Sequence, residues 1–327
     1  MVLINGKDVG HTGYGMMNLT WRTTPIPDDQ AFATLNAALS TNTTFWNGGE
    51  FYGPPDANSL HLLARYLTAH PSAASRVIIS IKGASIPNIP FSLDGSRANI
   101  RRSIDECLSI LAPTPKKTID IFEPARLDPQ IPLEETITAI ADYVKQGQIG
   151  GIGLSEVDAP TIRKAHAIHP IAAVEVELSL HTTDILSNGV ATTCGELGIP
   201  IVAYSPLGRG LLTAQLNTVA DIDKDDIRHH LPRFAPGALE ANASLSAELQ
   251  KIAARKGCTA AQVAIAWVRG WSGREGVGEV VPIPGATTAE RVEENAAEVV
   301  LSMEEWEEVE KLRKGVQVVG GRYPGMK

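Results

Sequence analysis

An α/β TIM barrel, (β/α)8, is the fold class this sequence predicts, and three observations predict it. Short β-branched or apolar runs alternate eight times with longer amphipathic segments, which reads as parallel strands joined by helical crossovers. No Gly-x-Gly-x-x-Gly follows the first strand, so an open doubly wound sheet lacks its fingerprint. The chain has 327 residues, a length that fits one barrel domain over 1–327.

The elements follow in order. VLINGKDVG reads as an N-terminal hairpin turning at Asn5-Gly6. Strands are expected at 12–17, 43–47, 76–82, 118–125, 150–154, 171–178, 199–205 and 278–283. Helices are expected at about 28–41, 57–70, 95–111, 132–146, 159–168, 188–197, 242–256 and 288–299. Asp28 can cap the first helix, and Pro132 with Glu134 and Glu135 suits an N-terminus. Ile100, Ile104, Cys107, Leu108 and Leu111 share one face, and Lys256-Gly257 marks a helix stop. Two segments break the alternation. Residues 207–240, with Gly208, Gly210, Pro232, Pro236 and Gly237, form a long loop of the kind that usually serves function. Residues 258–271 and SMEEWEEVEKLRKG add extra helices near the C-terminus. The acidic run of the latter suits a solvated face, with Glu307/Lys311 and Glu310/Lys314 at i,i+4 spacing. VQVVGGRYPGMK is a tail that either lies over the barrel mouth or is partly disordered.

Composition narrows the function classes. A net charge of −8 argues against a general nucleic-acid or anionic-membrane surface, though not against a local basic pocket. No run approaches a membrane span, and the N-terminus lacks the pattern of a signal peptide. Cys107, Cys194 and Cys258 lie far apart, which fits a reducing compartment. The expected location is therefore cytoplasmic, with the nucleus also open. Asn18, Asn42 and Asn242 begin Asn-x-Ser/Thr triplets that are chance matches in that setting. No His cluster has ligand spacing, so no metal is expected. His11, His61, His70, His166, His169 and His181 read as surface or helix-cap residues, and His229-His230 falls in the long loop.

In such a barrel, chemistry sits at the C-terminal ends of the strands. Lys82 ends the third strand, IISIKG, and Tyr52 lies in FWNGGEFYG after the second. A strand-end lysine could simply reach solvent, and Tyr52 could be a rim aromatic. Together they suggest more: an ammonium beside a phenol lowers the phenol's pKa and makes it a competent acid toward a carbonyl oxygen. Trp21, Trp46, Phe51 and Phe122 fall near strand ends, where they line a substrate pocket or fill the rim. Glu50 and Arg126 are polar neighbours with no role assigned.

These residues carry a resemblance. Asn47, Tyr52 and Lys82, in this order and spacing, resemble the Asp-Tyr-Lys-His tetrad of the aldo-keto reductases. GIGLSE (151–156), AAVEVELSL (172–180), VAYSPLGRGLLT (202–213) and VPIPGATTAERVEEN (281–295) resemble that family's fifth to eighth strand segments, so the likeness spans nearly the whole chain in order. Asn47 stands where the family usually has Asp, and Ala125 where it usually has His. Asn47 can still accept a hydrogen bond from Lys82, and its neutrality should leave the positive field on Tyr52 stronger. GYGMMNLTWR (13–22), WNGGEFYG and FEPARLDP resemble the fungal pyridoxal reductase branch, which shares both departures. That implies NADPH-dependent reduction of pyridoxal to pyridoxine, in vitamin B6 metabolism. The ring hydroxyl ortho to the aldehyde could hydrogen-bond the reacting oxygen, replacing the histidine, and Ala125 would make room for the ring. Reduction of other aldehydes remains an alternative, as does a non-catalytic NADPH-binding subunit like the potassium-channel β subunits.

The resemblance also implies cofactor contacts. Tyr204 would stack on the nicotinamide, with Ser155 and Glu175 near its carboxamide. Glu156 and Glu175 stand where the family usually has Asn and Gln. Ser205, Leu207, Gly208, Arg209 and Gly210 align with the pyrophosphate segment. Ala286, Thr287 and Thr288 open a helix toward the 2′-phosphate that Arg291 would meet, while Glu294 and Asn295 would meet the adenine. The sequence does not indicate an oligomeric state.

Overall fold

The computed structural model describes residues 2–86, 92–216, 218–222, 224 and 226–325. Positions 217, 223 and 225 of the long loop, and the last two residues of the tail, lie outside the described residues.

Eight parallel strands form the barrel wall: β3 (Tyr14–Gly15), β4 (Phe45–Gly49), β5 (Ile78–Gly83), β6 (Ile121–Pro124), β7 (Ile152–Ser155), β8 (Ile171–Glu177), β9 (Ile201–Tyr204) and β10 (Val280–Ile283). They pair in sequence order. The ring is drawn together between its ends by a parallel bridge from Gly15 to Gly285 and by the Gly13 amide donating to Pro282 O at 2.9 Å. A two-stranded hairpin, β1 (Leu3–Ile4) and β2 (Lys7–Asp8), precedes the barrel. Asn5 (φ 50°) and Gly6 (φ 72°) are both left-handed, as a two-residue hairpin turn requires.

The helices are α1 (Met17–Thr20), α2 (Asp28–Ser40), α3 (Ser59–Ala69), α4 (Arg97–Leu111), α5 (Leu133–Lys145), α6 (Ala159–Ile168), α7 (Val190–Glu196), α8 (Ala238–Lys256), α9 (Ala260–Arg269), α10 (Ala289–Ala296) and α11 (Met303–Gly315). The expected elements are thus present within a few residues at each end. One cap expectation needs correction: Pro27, not Asp28, occupies the cap of α2, and the Asp28 carboxylate instead takes two hydrogen bonds from Arg65. Pro132 is the cap residue of α5, with Glu134 and Glu135 in its first turn. Gly257 (φ 72°) does end α8. The face of α11 is less solvated than its composition suggests: Glu310 is buried and accepts from Trp267 Nε1 at 2.8 Å.

Alternation along each strand divides the core in two. One set of side chains (Trp46, Ile79, Ile81, Phe122, Ile152, Leu154, Val174, Val176) packs against the helices. The other (Phe45, Ile78, Ile121, Ala173, Val202, Val281) fills the barrel, where Val2, Ile4 and Val9 of the hairpin segment join it. Trp46 and Phe122 therefore do not line a pocket. The Trp46 indole donates to Thr43 O at 2.9 Å and meets Tyr66 edge-on, and Phe122 is fully buried in the helix-facing layer. Truncating such a ring to alanine costs about 3–5 kcal/mol, which makes these two positions structural.

Candidate active site

At the C-terminal ends of the strands the inward positions change from apolar to polar. Asn47 follows Phe45 on β4, Lys82 is the last residue but one of β5, Glu123 follows Ile121 on β6, and Glu175 follows Ala173 on β8. All four are buried. The Lys82 ammonium donates to Asn47 Oδ1 at 3.1 Å, pairs with Glu123 Oε1 at 3.1 Å and contacts Glu175. The Asn47 amide donates to Glu123 Oε1 at 3.2 Å and to Glu175 Oε2 at 2.7 Å. Asn47 thus accepts from the cation and donates to both carboxylates.

Tyr52 joins this cluster from the loop after β4. Its carbonyl accepts from Thr20 Oγ1 at 2.6 Å and from the Ser59 amide at 3.0 Å, which fixes the loop. Gly49 lets the ring lie against the strand end, since a β-carbon there would stand 3.1 Å from Tyr52 Cγ. Trp21 stacks on Tyr52 with ring centres 5.7 Å apart, and Phe51 meets it edge-on at 5.0 Å. Lys82 Nζ lies 6.0 Å from the centre of the Tyr52 ring. The Glu50 carboxylate accepts from Ser85 N, Ser85 Oγ, Ser103 Oγ and Arg102, while its amide donates to Lys82 O at 2.9 Å. Glu50 therefore anchors the strand end that carries Lys82.

The electrostatics differ from the expectation of an acidified phenol. Burial raises the Tyr52 pKa, Lys82 lowers it, and Glu175 and Glu123 raise it again, for a result of about 12. Glu175 and Glu123 oppose the positive field of Lys82 that the neutrality of Asn47 alone would strengthen. For Lys82, burial favours the neutral amine, but Glu123, Glu175 and Tyr52 override it and hold the ammonium well above the usual lysine range. Glu175 is raised to about 8, by burial first and then by Glu123, against the pull of Lys82.

Ala125, just past β6, is a small buried residue whose amide donates to Gly83 O at 2.9 Å, next to Lys82 in the chain. Arg126 next to it donates to Ser155 Oγ at 3.1 Å and to Ala125 O at 2.6 Å. Glu175, expected beside a carboxamide, is committed instead to Lys82 and Asn47. Glu156 (φ 53°) pairs with Arg322 of the tail at 3.0 Å, and the Glu177 amide donates to Glu156 Oε1 at 2.9 Å. The tail therefore lies over the mouth. Tyr323 sits with its hydroxyl near that of Tyr204 and its ring under the Arg209 guanidinium at 4.8 Å.

The remaining expected contacts gather along the ends of β9 and β10. Ser205 (φ 51°), Gly208 (φ 57°), Arg209 (φ 57°) and Gly210 (φ 103°) make a left-handed turn with Leu207, a strained backbone of the kind found where a ligand is held. Tyr14 donates its hydroxyl to Ala286 O at 2.6 Å, and Gln30 Nε2 donates to Thr287 O at 2.7 Å. Thr288 caps α10, whose Arg291 donates to Gln215 Oε1 at 2.9 Å; Asn295 is buried near the end of the same helix, and Glu294 O accepts from Gln262. Arg126, Arg209 and Arg291 follow β6, β9 and β10, so three guanidiniums ring part of the mouth of a chain with net charge −8. That donor chemistry and the helix N-terminus fit a phosphate-bearing dinucleotide. Among the described residues no group of His, Cys, Asp and Glu could hold a metal ion, and no helix is long and apolar enough to cross a membrane.

Sequence reasoning missed Glu123, Glu177, Arg322 and Tyr323. A glutamate inside the apolar run IDIFEP was the available signal for the first. It also misplaced His181, which is buried near Gly208 rather than exposed.

The aldo/keto reductase family model matches residues 12–314. The chain is 39% identical over 99% of its length to a protein named probable pyridoxal reductase 2 of Schizosaccharomyces pombe, covering 97% of that protein. It is 37% identical to a putative pyridoxal reductase of Saccharomyces cerevisiae, over 95% of each chain. Among solved structures, a glycerol dehydrogenase from Gluconobacter oxydans superposes with a TM-score of 0.83 at 22% identity, over 100% of this chain and 98% of that one. A thermostable aldo-keto reductase in complex with the inhibitor epalrestat superposes with a TM-score of 0.72 at 24% identity, over 95% and 98%. Both structural likenesses concern the fold.

Proposed function

The chain belongs to the aldo/keto reductase family, and we propose that it reduces pyridoxal to pyridoxine with NADPH. The observation that carries this reading is Tyr52 beside Lys82, whose Nζ lies 6.0 Å from the ring centre, at the C-terminal ends of the strands. The names of two relatives aligned along almost the whole chain support the substrate. Family membership implies a nicotinamide cofactor; bound here, it would supply the hydride.

The residues then divide the work. Tyr52 keeps its proton at neutral pH because its pKa is about 12. An alkoxide is a much stronger base than a phenolate, so Tyr52 still protonates the oxygen as hydride reaches the carbon. Lys82 stabilises the phenolate left behind. Ala125 leaves space for a substituted ring, and the substrate's ortho hydroxyl serves the carbonyl oxygen that a histidine would otherwise serve. Tyr204 offers a ring to the nicotinamide, and Ser155, oriented by Arg126, offers a hydroxyl to its carboxamide. The turn from Ser205 to Gly210, with Arg209, would hold the pyrophosphate, and Arg291 would hold the 2′-phosphate, a contact that would select NADPH over NADH. The reaction belongs to the cytoplasm, in keeping with three free cysteines.

The test is direct. Purified protein given NADPH and pyridoxal should consume reduced nicotinamide and release pyridoxine. Turnover of other aryl aldehydes without pyridoxal would move the substrate. No turnover of any aldehyde would leave a dinucleotide-binding protein without reductase activity.

A further inference from the structure

The Lys82 cluster holds one more carboxyl group than its single ammonium balances. Glu123 and Glu175 are 2% and 3% exposed, and Lys82 is 4% exposed. They meet because Gly153 of β7 stands between β6 and β8 without a side chain. A β-carbon at Gly153 would lie 2.9 Å from Glu123 Cβ and 3.1 Å from Glu123 Oε2. Lys82 and Glu123 are also register partners across β5 and β6. Asn47 ties the two carboxyl groups together through one amide nitrogen. An aspartate at position 47 would bring a third carboxyl group and remove that donor. An unbalanced buried negative charge costs several kcal/mol, so the cluster keeps a proton.

We propose that the Glu123–Glu175 pair is the counter-ion that positions Lys82, in place of a carboxylate at position 47, and that the one proton the pair keeps is the proton returned to Tyr52 through Lys82. The proposal rests on the reading of Tyr52 as the acid. In the step, the Tyr52 O–H breaks and its proton joins the product oxygen, leaving a phenolate. Lys82 gives a proton to that phenolate, and the carboxylic acid O–H of the Glu123–Glu175 pair gives one to the resulting amine. The pair, now two carboxylates, is reprotonated from solvent between turnovers. No electrons move beyond the hydride already transferred. The charged and titratable groups around Glu175 are Glu123, Lys82 and, through its field, Arg126, with Tyr52 beyond Lys82. Burial and then Glu123 raise the Glu175 pKa to about 8, so the pair holds its proton at neutral pH.

The experiment combines a charge relocation with a spectroscopic reading. Glu123→Gln should lower kcat by about tenfold or more, and Asn47→Asp combined with Glu123→Gln should restore most of it, because the carboxylate has only moved. Glu175→Gln should lower kcat with little change in KM for NADPH and should remove the alkaline fall of kcat near pH 8. Infrared spectra of the wild-type protein should show a buried carboxylic acid band that disappears above that pH and is absent from Glu175→Gln. A double variant no more active than Glu123→Gln, although folded and able to bind NADPH, would overturn the counter-ion role. An unchanged alkaline limb in Glu175→Gln, or a wild-type spectrum without the acid band, would overturn the proton store. Because the infrared reading needs no turnover, it separates failure of this proposal from failure of the reductase reading.

Discussion

The hydroxyls of Tyr204 and Tyr323, 119 residues apart in sequence, lie 3.3 Å from each other. Arg322 next to Tyr323 pairs with Glu156 and stands 3.7 Å from Glu177, so ion pairs at the ends of β7 and β8 hold the tail against Tyr204. Arg322→Ala should release this clasp. A partly buried pair contributes about 1 kcal/mol, so NADPH should leave about three- to tenfold faster. Stopped-flow fluorescence of bound NADPH measures that rate, and an unchanged rate would mean that the tail does not retain the cofactor.

Arg291 stands one turn into α10 with its guanidinium on Gln215 of the long loop. Arg291→Ala should weaken NADPH binding about 10- to 100-fold, as expected for loss of charged hydrogen bonds to a phosphate, and NADH binding by less than about threefold. Titration calorimetry with both cofactors compares the two. An equal loss for both would remove the 2′-phosphate from this position.

Ala125 offers no donor to a carbonyl oxygen, so the substrate must supply one. Pyridoxal and salicylaldehyde should exceed benzaldehyde in kcat/KM by about tenfold, the worth of one well-placed hydrogen bond. Comparing salicylaldehyde with its meta-hydroxy isomer keeps ring size and polarity constant. Equal values for that pair would mean the ortho hydroxyl has no such role.

His181 gives a pH prediction. Burial first, and Arg233 second, push its pKa down to about 4 from the ordinary histidine value of 6.5. Between those values the unfolded chain binds the proton and the folded chain does not, so stability rises with pH through this window. Its contribution is complete above about pH 6.5 and is lost as pH falls toward 4. Melting curves of His181→Asn from pH 4 to 7 should lack the acid fall that this group causes in the wild type. An identical acid profile in both would show that His181 plays no part in it.

Much of this was legible in the chain because barrel repeats advertise themselves through alternation and loop chemistry. Tyr52 and Lys82 are unusual residue types at the ends of apolar strands, and they stood out for that reason. Trp46 and Phe122 were misplaced although the two-residue period could have settled them. Once Asn47 faces inward, Trp46 must face the helices, and the same holds for Phe122 next to Glu123. The Glu123–Glu175 pair was hidden by a different cause. Their meeting depends on Gly153, a missing side chain on the intervening strand, and linear spacing does not express that. The raised Tyr52 pKa follows first from burial and then from the same two carboxylates, and neither is visible before the contacts are known. Arg322 and Tyr323 reach the mouth from the far end of the chain through tertiary contacts that no local pattern encodes.

The central claim is that Tyr52 is the acid of the reaction. Turnover of pyridoxal by Tyr52→Phe, measured alongside its NADPH affinity, tests this most directly. The account predicts a rate reduced about 10²- to 10⁴-fold with NADPH affinity within about twofold of wild type. A variant that binds NADPH normally and keeps most of its rate would contradict it.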